Sequence, residues 1–428
     1  MSQNYKFETL CLHAGQEPDP TTTARGVAIH RTSSYVFKST EHAANLFGLK
    51  ELGNIYTRIM NPTQDVLEQR VAALEGGAAA LALASGTAAI HYSIINICSA
   101  GDEIVSASNL YGGTYTMFDS ILPQFGIQTK FADARDPQSF ETAITDKTRA
   151  IFIETIGNPL LEFTDIGAIS EIAKKHHLPL IVDATFTTPF LLKSLEYGAD
   201  IVVNSLTKWM GGHGTGIGGI VVDSGKFDWT DPKFKLYNEP DPSYHGLRYA
   251  HDLGDLNPVA FIMRMRLVPL RNLGACISPD NSWIFLQGLE TLALRIQRHC
   301  ENAMSVARFL KTHPRVSWVR YPGLEDDPAY PTAGKYLNNG FGAMVVFGIE
   351  GGLEAGKKFV DSLQLFSHLA NVGDAKSLVI HPSSTTHSQL SEEQQRAGGL
   401  TPDLIRLSVG LEHIDDIVGD LEQAFSKV

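Results

Sequence analysis

The sequence predicts an α/β protein: a large, mainly parallel sheet sandwiched by helices, followed by a smaller C-terminal α+β domain. Three observations carry this. The chain has 428 residues, 43% of them hydrophobic, which suits roughly two or three cored domains. Short β-branched runs (DEIVSAS, AIFIET, LPLIVDAT, ADIVVNS, GGIVV) alternate with helical stretches such as FTDIGAISEIAKKHH. The runs are apolar on both faces, as strands covered from both sides must be.

Taken in order, residues 1–60 are rich in Thr, Pro and Gly and show no clear period. Such an arm is expected to lie over the rest of the molecule or over a neighbouring subunit. A large domain is expected over 61–282. It opens with NPTQDVLEQRVAALEGG, where Asn61 can cap, Pro62 fits the first helical position and Gly76 ends the helix. Val66, Leu67, Val71 and Leu74 give that helix one apolar face. In the stretch 163–177, Ile166, Ile169, Ile172 and Ala173 share a face, and His176 and His177 read as a helix terminus rather than as ligands. An aromatic, Pro- and Asn-rich insertion spans about 224–280. The region 283–428 then holds a long helix from SWIFLQGLETLALR onward, with a break expected near Gly288, and strands such as GAMVVFG and LIRLSVG.

Composition removes several functions. A net charge of −12 argues against nucleic acid and against anionic membrane surfaces, both of which call for a basic face. Cys11, Cys98, Cys276 and Cys300 form no CxxC pair and no metal-ligand spacing, so neither a disulfide framework nor a metal site is expected and the compartment reads as reducing. The start lacks a basic segment followed by an apolar run. The most apolar window, Gly76 to Cys98, is interrupted by Ser85, Thr87, His91 and Asn96 and should not span a bilayer. A soluble, cytoplasmic protein is the expectation.

In open parallel sheets ligands collect beyond the carboxyl ends of the strands. LPLIVDATF ends there with Asp183 and Thr185 on one face, where the carboxylate can meet a cationic ligand. The next such strand ends in NSLTKW, presenting Ser205, Thr207 and Lys208. Two hydroxyls suit phosphate oxygens, and a lysine can condense with an aldehyde to a Schiff base. Pyridoxal phosphate meets all three demands, with Asp183 keeping the ring nitrogen protonated. A third strand runs through Ser85, Gly86 and Thr87 into a helix, whose free N–H groups and dipole favour an anion. The plainer alternative is that Asp183 caps a helix and Lys208 is merely solvated; the joint pattern speaks for the site. Gly214, Gly216 and Gly219 spell GxGxxG, but a dinucleotide fingerprint needs a helix after it. Here IVVD follows, so the glycines are expected to permit a tight backbone path beside Lys208.

The segments LHAGQ, SSYVFKST, YTRIMNPT, LEGGAAALALASGTAA, LYGGTY, ETIGNP, VDATF, NSLTKWMGGHG, SWIFLQGLETLALR, YPGL, ANVGDAKSLVIHP, TTH and IRLSVGLE follow one another across nearly the whole chain. In these the chain resembles the Cys/Met-metabolism enzymes dependent on pyridoxal phosphate, and the insertion around 224–280 resembles that family's sulfhydrylase branch. The resemblance implies the fold type I architecture of pyridoxal phosphate transferases. It implies γ-replacement of O-acetyl-L-homoserine by sulfide to give L-homocysteine and acetate, a step of methionine biosynthesis. It also implies a homo-oligomer, a tetramer made of two dimers.

Residue roles follow from the same resemblance. Lys208 would bind the cofactor and shuttle protons; Asp183 would pair with the ring nitrogen. Gly86, Thr87, Ser205 and Thr207 would hold the phosphate, helped by Tyr56 and Arg58 from a neighbouring subunit. Tyr111 would stack on the ring, with Thr185 beside it, and Asn158 would reach the ring hydroxyl. Arg406, with Ser377 nearby, would clamp the substrate α-carboxylate; Tyr56 and Tyr111 are candidates for proton handling. Two departures from the family pattern are Ala184 after the cofactor aspartate and His30, followed by Arg31, in the arm. Within the family, cystathionine γ-synthase, γ-lyase and O-acetylserine sulfhydrylase activities stay open, and an aminotransferase is a more remote alternative.

Overall fold

A computed structural model describes residues 5–385 and 400–428. Its first sheet contains β1 (Ala79–Leu83), β2 (Glu103–Ala107), β3 (Gln128–Ala132), β4 (Thr148–Glu154), β5 (Leu180–Asp183), β6 (Ile201–Ser205) and β7 (Gly219–Asp223). The order is β1-β7-β6-β5-β4-β2-β3. Strands β3, β2, β4, β5 and β6 are parallel. Only β7 runs against its two neighbours, so β1 points the same way as the parallel set. The carboxyl ends of six strands therefore share one edge. Ile151, Phe152, Ile181, Val182, Val202 and Val203 are fully buried, as two covered faces require. Because β7 directly follows the glycine-rich loop, a dinucleotide fold is excluded there.

The first long helix spans Pro62–Glu75. The Asn61 side chain accepts the Thr63 N–H, Pro62 opens the helix, and Gly76 closes it at φ 77°. Its polar face is buried too, which the apolar periodicity does not reveal. Glu68 accepts from Ala82 N–H, and Arg70 donates to the Ala14 carbonyl and to Gln16. The arm is thus docked onto this helix by its Ala14–Gln16 turn. It also carries short helices, Phe7–His13 and Thr40–Phe47, where no period announces them; the second is capped by Ser39. The His30 main chain is pinned at both ends, its N–H donating to Thr63 and its carbonyl accepting from Asn61. Arg31 pairs with Asp280.

The helix expected to break near Gly288 instead breaks at Thr291, between Pro279–Glu290 and Leu292–Thr312. Gly288 serves close approach: a Cβ there would sit 2.4 Å from the Gly211 carbonyl oxygen. In the helix Ile166–Lys175 the predicted face is buried at Ile166, Ile169 and Ala173 and half-buried at Ile172, and Lys233 Nζ donates to the carbonyls of His176 and His177 at its end. The 224–280 passage folds around Trp229, which stacks on Tyr237 and Phe261.

The second sheet holds β8 (Val316–Arg320), β9 (Met344–Ile349), β10 (Ser367–His368), β11 (Leu378–Ile380) and β12 (Leu404–Ser408), in the order β10-β11-β12-β9-β8. The helices Gly352–Ser362 and Ile414–Phe425 pack on it through Phe359, Leu421 and Phe425. The Tyr336 hydroxyl accepts from Gly167 N–H and bonds Asp165, joining the C-terminal region to the larger sheet. No helix among the described residues is long and apolar enough to cross a membrane. Thr386 and His387 of the TTH segment lie outside the described residues.

Candidate active site

Five strands deliver polar groups to one edge of the large sheet. Asp183 ends β5 and Ser205 ends β6. They are joined through Thr185, whose hydroxyl accepts Ser205 N–H at 2.8 Å while its own N–H donates to Asp183 at 2.9 Å. Ala184, between them, is fully buried on the other side. After β1, Ser85 caps the helix Gly86–Ile95 by accepting Ala88 N–H. The start of that helix is pressed against Ser205: a Cβ on Gly86 would lie 2.7 Å from the Ser205 Cβ. Amides at a helix start have no intrahelical acceptor, so Gly86, Thr87 and the Ser205 hydroxyl together form an anion cradle. Thr207 borders it, its hydroxyl accepting Gly218 N–H at 3.1 Å.

Lys208 follows β6 and is partly buried, and its amine bonds the Asn371 side-chain oxygen. Burial, with the charge of Arg406 adding to it, lowers the Lys208 pKa to about 8. Arg406 lies on β12 and donates to the Asn158 side-chain oxygen at 3.1 Å. Burial lowers its pKa to about 10, and Tyr111 stands near enough to act on it electrostatically. Tyr111 precedes the helix Gly112–Thr116, with its ring over Gly113 and its N–H donating to Glu154. Burial raises the Asp183 pKa to about 6, opposed by its bonds from Thr185.

The structure therefore brings Gly86, Thr87, Tyr111, Asn158, Asp183, Thr185, Ser205, Thr207, Lys208 and Arg406 to one edge. It does not bring the Ser377 hydroxyl there for binding. That hydroxyl donates to Glu412 at 2.9 Å and accepts Gly410 N–H at 2.9 Å, a lock between two loops. Tyr56 and Arg58 form a pair of their own, the guanidinium 5.1 Å from the ring centroid. Among the described residues no hydrogen bond or ion pair links them to Lys208, Asp183 or Ser205. Two residues went unnoticed in sequence: Asn371, inside the ANVGD segment, and Glu154, which opens ETIGNP.

Pyridoxal phosphate fits what is present. Asp183 is buried yet, among the described residues, has no protein cation paired with it, which leaves a carboxylate for a ring N–H. Lys208 offers an amine that no acid pairs with among the described residues, and only glycine at position 86 lets the helix start approach Ser205 so closely, leaving its amides open to a phosphate.

The family model for the Cys/Met metabolism PLP-dependent enzymes matches residues 8–426. An O-acetyl-L-homoserine sulfhydrylase of Leptospira meyeri is 56% identical over 434 residues, covering 100% of this chain and 98% of its own length. A homocysteine/cysteine synthase of Saccharomyces cerevisiae is 48% identical, with 99% and 98% covered. The fold also matches the crystal structure of a Campylobacter jejuni protein named as an O-acetylhomoserine (thiol)-lyase, which contains N'-pyridoxyl-lysine-5'-monophosphate. Its TM-score is 0.95 at 43% identity, covering 99% of this chain and all of that one. Fold, cofactor cradle and full-length likeness agree, and the chain belongs to the Cys/Met metabolism PLP-dependent enzymes.

Proposed function

We propose that the protein replaces the acetoxy group of O-acetyl-L-homoserine with sulfide. The C–O bond at Cγ breaks, a C–S bond forms in its place, and L-homocysteine and acetate leave. The reading is carried by full-length identity of 56% to a sulfhydrylase, over a site where the Arg406 guanidinium stands near enough to act electrostatically on the partly buried Lys208 amine.

Bound pyridoxal phosphate supplies an electron sink that stabilises negative charge at the substrate Cα and opens Cγ to replacement. Lys208 holds the cofactor and then moves the proton at Cα. A base must be neutral, and with a pKa of about 8 the free amine is about half neutral at pH 8. Asp183 presents a carboxylate to the ring nitrogen. Gly86, Thr87, Ser205 and Thr207 bind the phosphate, while Asn158 and Tyr111 orient the ring. The Arg406 fork binds the α-carboxylate in bidentate fashion, and the bond it donates to the Asn158 side-chain oxygen fixes its plane. Tyr111 and, from a neighbouring copy, Tyr56 are the candidates for proton handling at Cγ.

The arm supports an oligomer. Val36 is 98% exposed, and Phe37, Phe47, Leu52 and Tyr56 are exposed with it, a surface suited to a second copy of the chain. In that arrangement Tyr56 and Arg58 serve the neighbour's phosphate site, a dimer is the smallest working unit and a tetramer pairs two of them. A cytoplasmic setting agrees with four free cysteines.

The test is a matrix of donors (O-acetylhomoserine, O-succinylhomoserine, O-acetylserine) against sulfide, methanethiol and cysteine. The highest kcat/KM is expected for O-acetylhomoserine with sulfide. Preference for cysteine as nucleophile, forming cystathionine, would overturn the reading. The yeast relative named as a homocysteine/cysteine synthase favours a secondary reaction with O-acetylserine.

A further inference from the structure

Glu154 ends β4 and stands beside Asp183 in parallel register. Residues so paired send their side chains to the same face, with backbones about 4.8 Å apart. Both carboxyl groups are out of water, the residues being 6% and 9% exposed. Glu154 Oε1 accepts the backbone N–H of Tyr111 at 2.8 Å. The nearby cations are engaged elsewhere: Lys208 bonds Asn371, and Arg406 bonds Asn158. Two carboxylates on adjacent strands without a shared cation cannot both be ionised in such a place. Asp183 is the better stabilised anion, since Thr185 bonds it. Burial and the neighbouring Asp183 push Glu154 well above the usual carboxylate range.

We propose that Glu154 is a positioning residue kept uncharged: its carboxyl oxygen fixes Tyr111 through the backbone amide, and its neutrality reserves the pocket's negative charge for Asp183. This rests on the assignment of Asp183 to the cofactor ring nitrogen. Its role is then one of shape and acceptance. Glutamine has the same shape, carries no charge and still offers an oxygen to Tyr111 N–H. A Glu154 that worked as a base or as a cation partner could not tolerate that exchange.

The experiment compares holoenzyme with Glu154→Gln and Glu154→Ala, following cofactor dissociation, the visible circular dichroism of the bound cofactor, and kcat and KM separately. Glu154→Gln is expected to stay within about threefold of wild type on every measure. Glu154→Ala, which removes the acceptor that holds the Tyr111 amide, is expected to weaken cofactor binding by about tenfold or more and to diminish the circular dichroism band. A tenfold loss in kcat for Glu154→Gln overturns the proposal, as does a Glu154→Ala enzyme like wild type. A Glu154→Gln chain without a cooperative melt also overturns it, because a neutral isostere must fit. A wild-type protein that takes up no cofactor refutes the assignment of Asp183 instead, before any variant is compared.

Discussion

Replacing Arg406 with glutamine separates two consequences of one guanidinium. The first is loss of the carboxylate clamp. Hydrogen bonds to charged groups contribute about 1.5–3 kcal/mol each; two of them amount to about 3–6 kcal/mol, or roughly 10²- to 10⁴-fold in kcat/KM. Lysine should restore little of this, because Asn158 holds a planar fork in place. The second consequence reaches Lys208. The charge of Arg406 helps to lower the pKa of that amine to about 8, so removing it moves the pKa upward. Recombination of apoprotein with pyridoxal phosphate needs the neutral amine, and its rate in wild type should reach half its plateau near that value. In Arg406→Gln the midpoint should lie at higher pH. Steady-state assays with O-acetylhomoserine and stopped-flow recombination across pH measure the two effects. A kcat/KM within about fivefold of wild type, or a midpoint that stays in place or falls, refutes the placement of Arg406 beside both substrate and lysine.

Asp223 predicts a pH-dependent stability. It is 1% exposed with one oxygen unpartnered, and burial, with Asp200 nearby, raises its pKa from 3.8 to about 7. The folded state therefore binds this proton more tightly than the unfolded chain. Its stability is fully present below the unfolded value and is lost as pH rises toward about 7, by on the order of 4 kcal/mol. Asp223→Asn should gain on wild type in urea melts at pH 8 compared with pH 5; an equal gap at both would contradict this. Tyr56 predicts complementation between copies. Randomly reassorted Lys208→Ala and Tyr56→Phe chains should recover about a quarter of wild-type sites, since half the dimers are mixed and each has one intact site. No recovery above the separate variants would place Tyr56 in its own chain's site.

What the sequence shows of the site lies at strand ends. Asp183, Ser205 and Lys208 can be found because alternation and chain order place them at one sheet edge, and the Asn61–Gly76 punctuation marks its helix at both ends. Pairings between distant segments leave no such trace. Asn371 meets Lys208 across 163 residues of chain, and nothing local distinguishes it from Ser377, which turns to Glu412 instead. Glu154 reads as the tail of a buried strand until β5 is laid beside it. The break at Thr291 rather than Gly288 has the same origin, because the glycine answers to the Gly211 backbone and not to its own helix. Arg70 and Glu68 are hidden for a related reason: helical periodicity reports apolar faces, while a buried polar face depends on partners such as Ala14 and Ala82.

Borohydride reduction of the yellow holoenzyme, followed by proteolysis and mass spectrometry, tests the central assignment most directly. The account predicts a pyridoxyl-phosphate adduct on the peptide containing Lys208 and on no other lysine. An adduct on a different lysine, or none on a protein that retains its colour and activity, would contradict it.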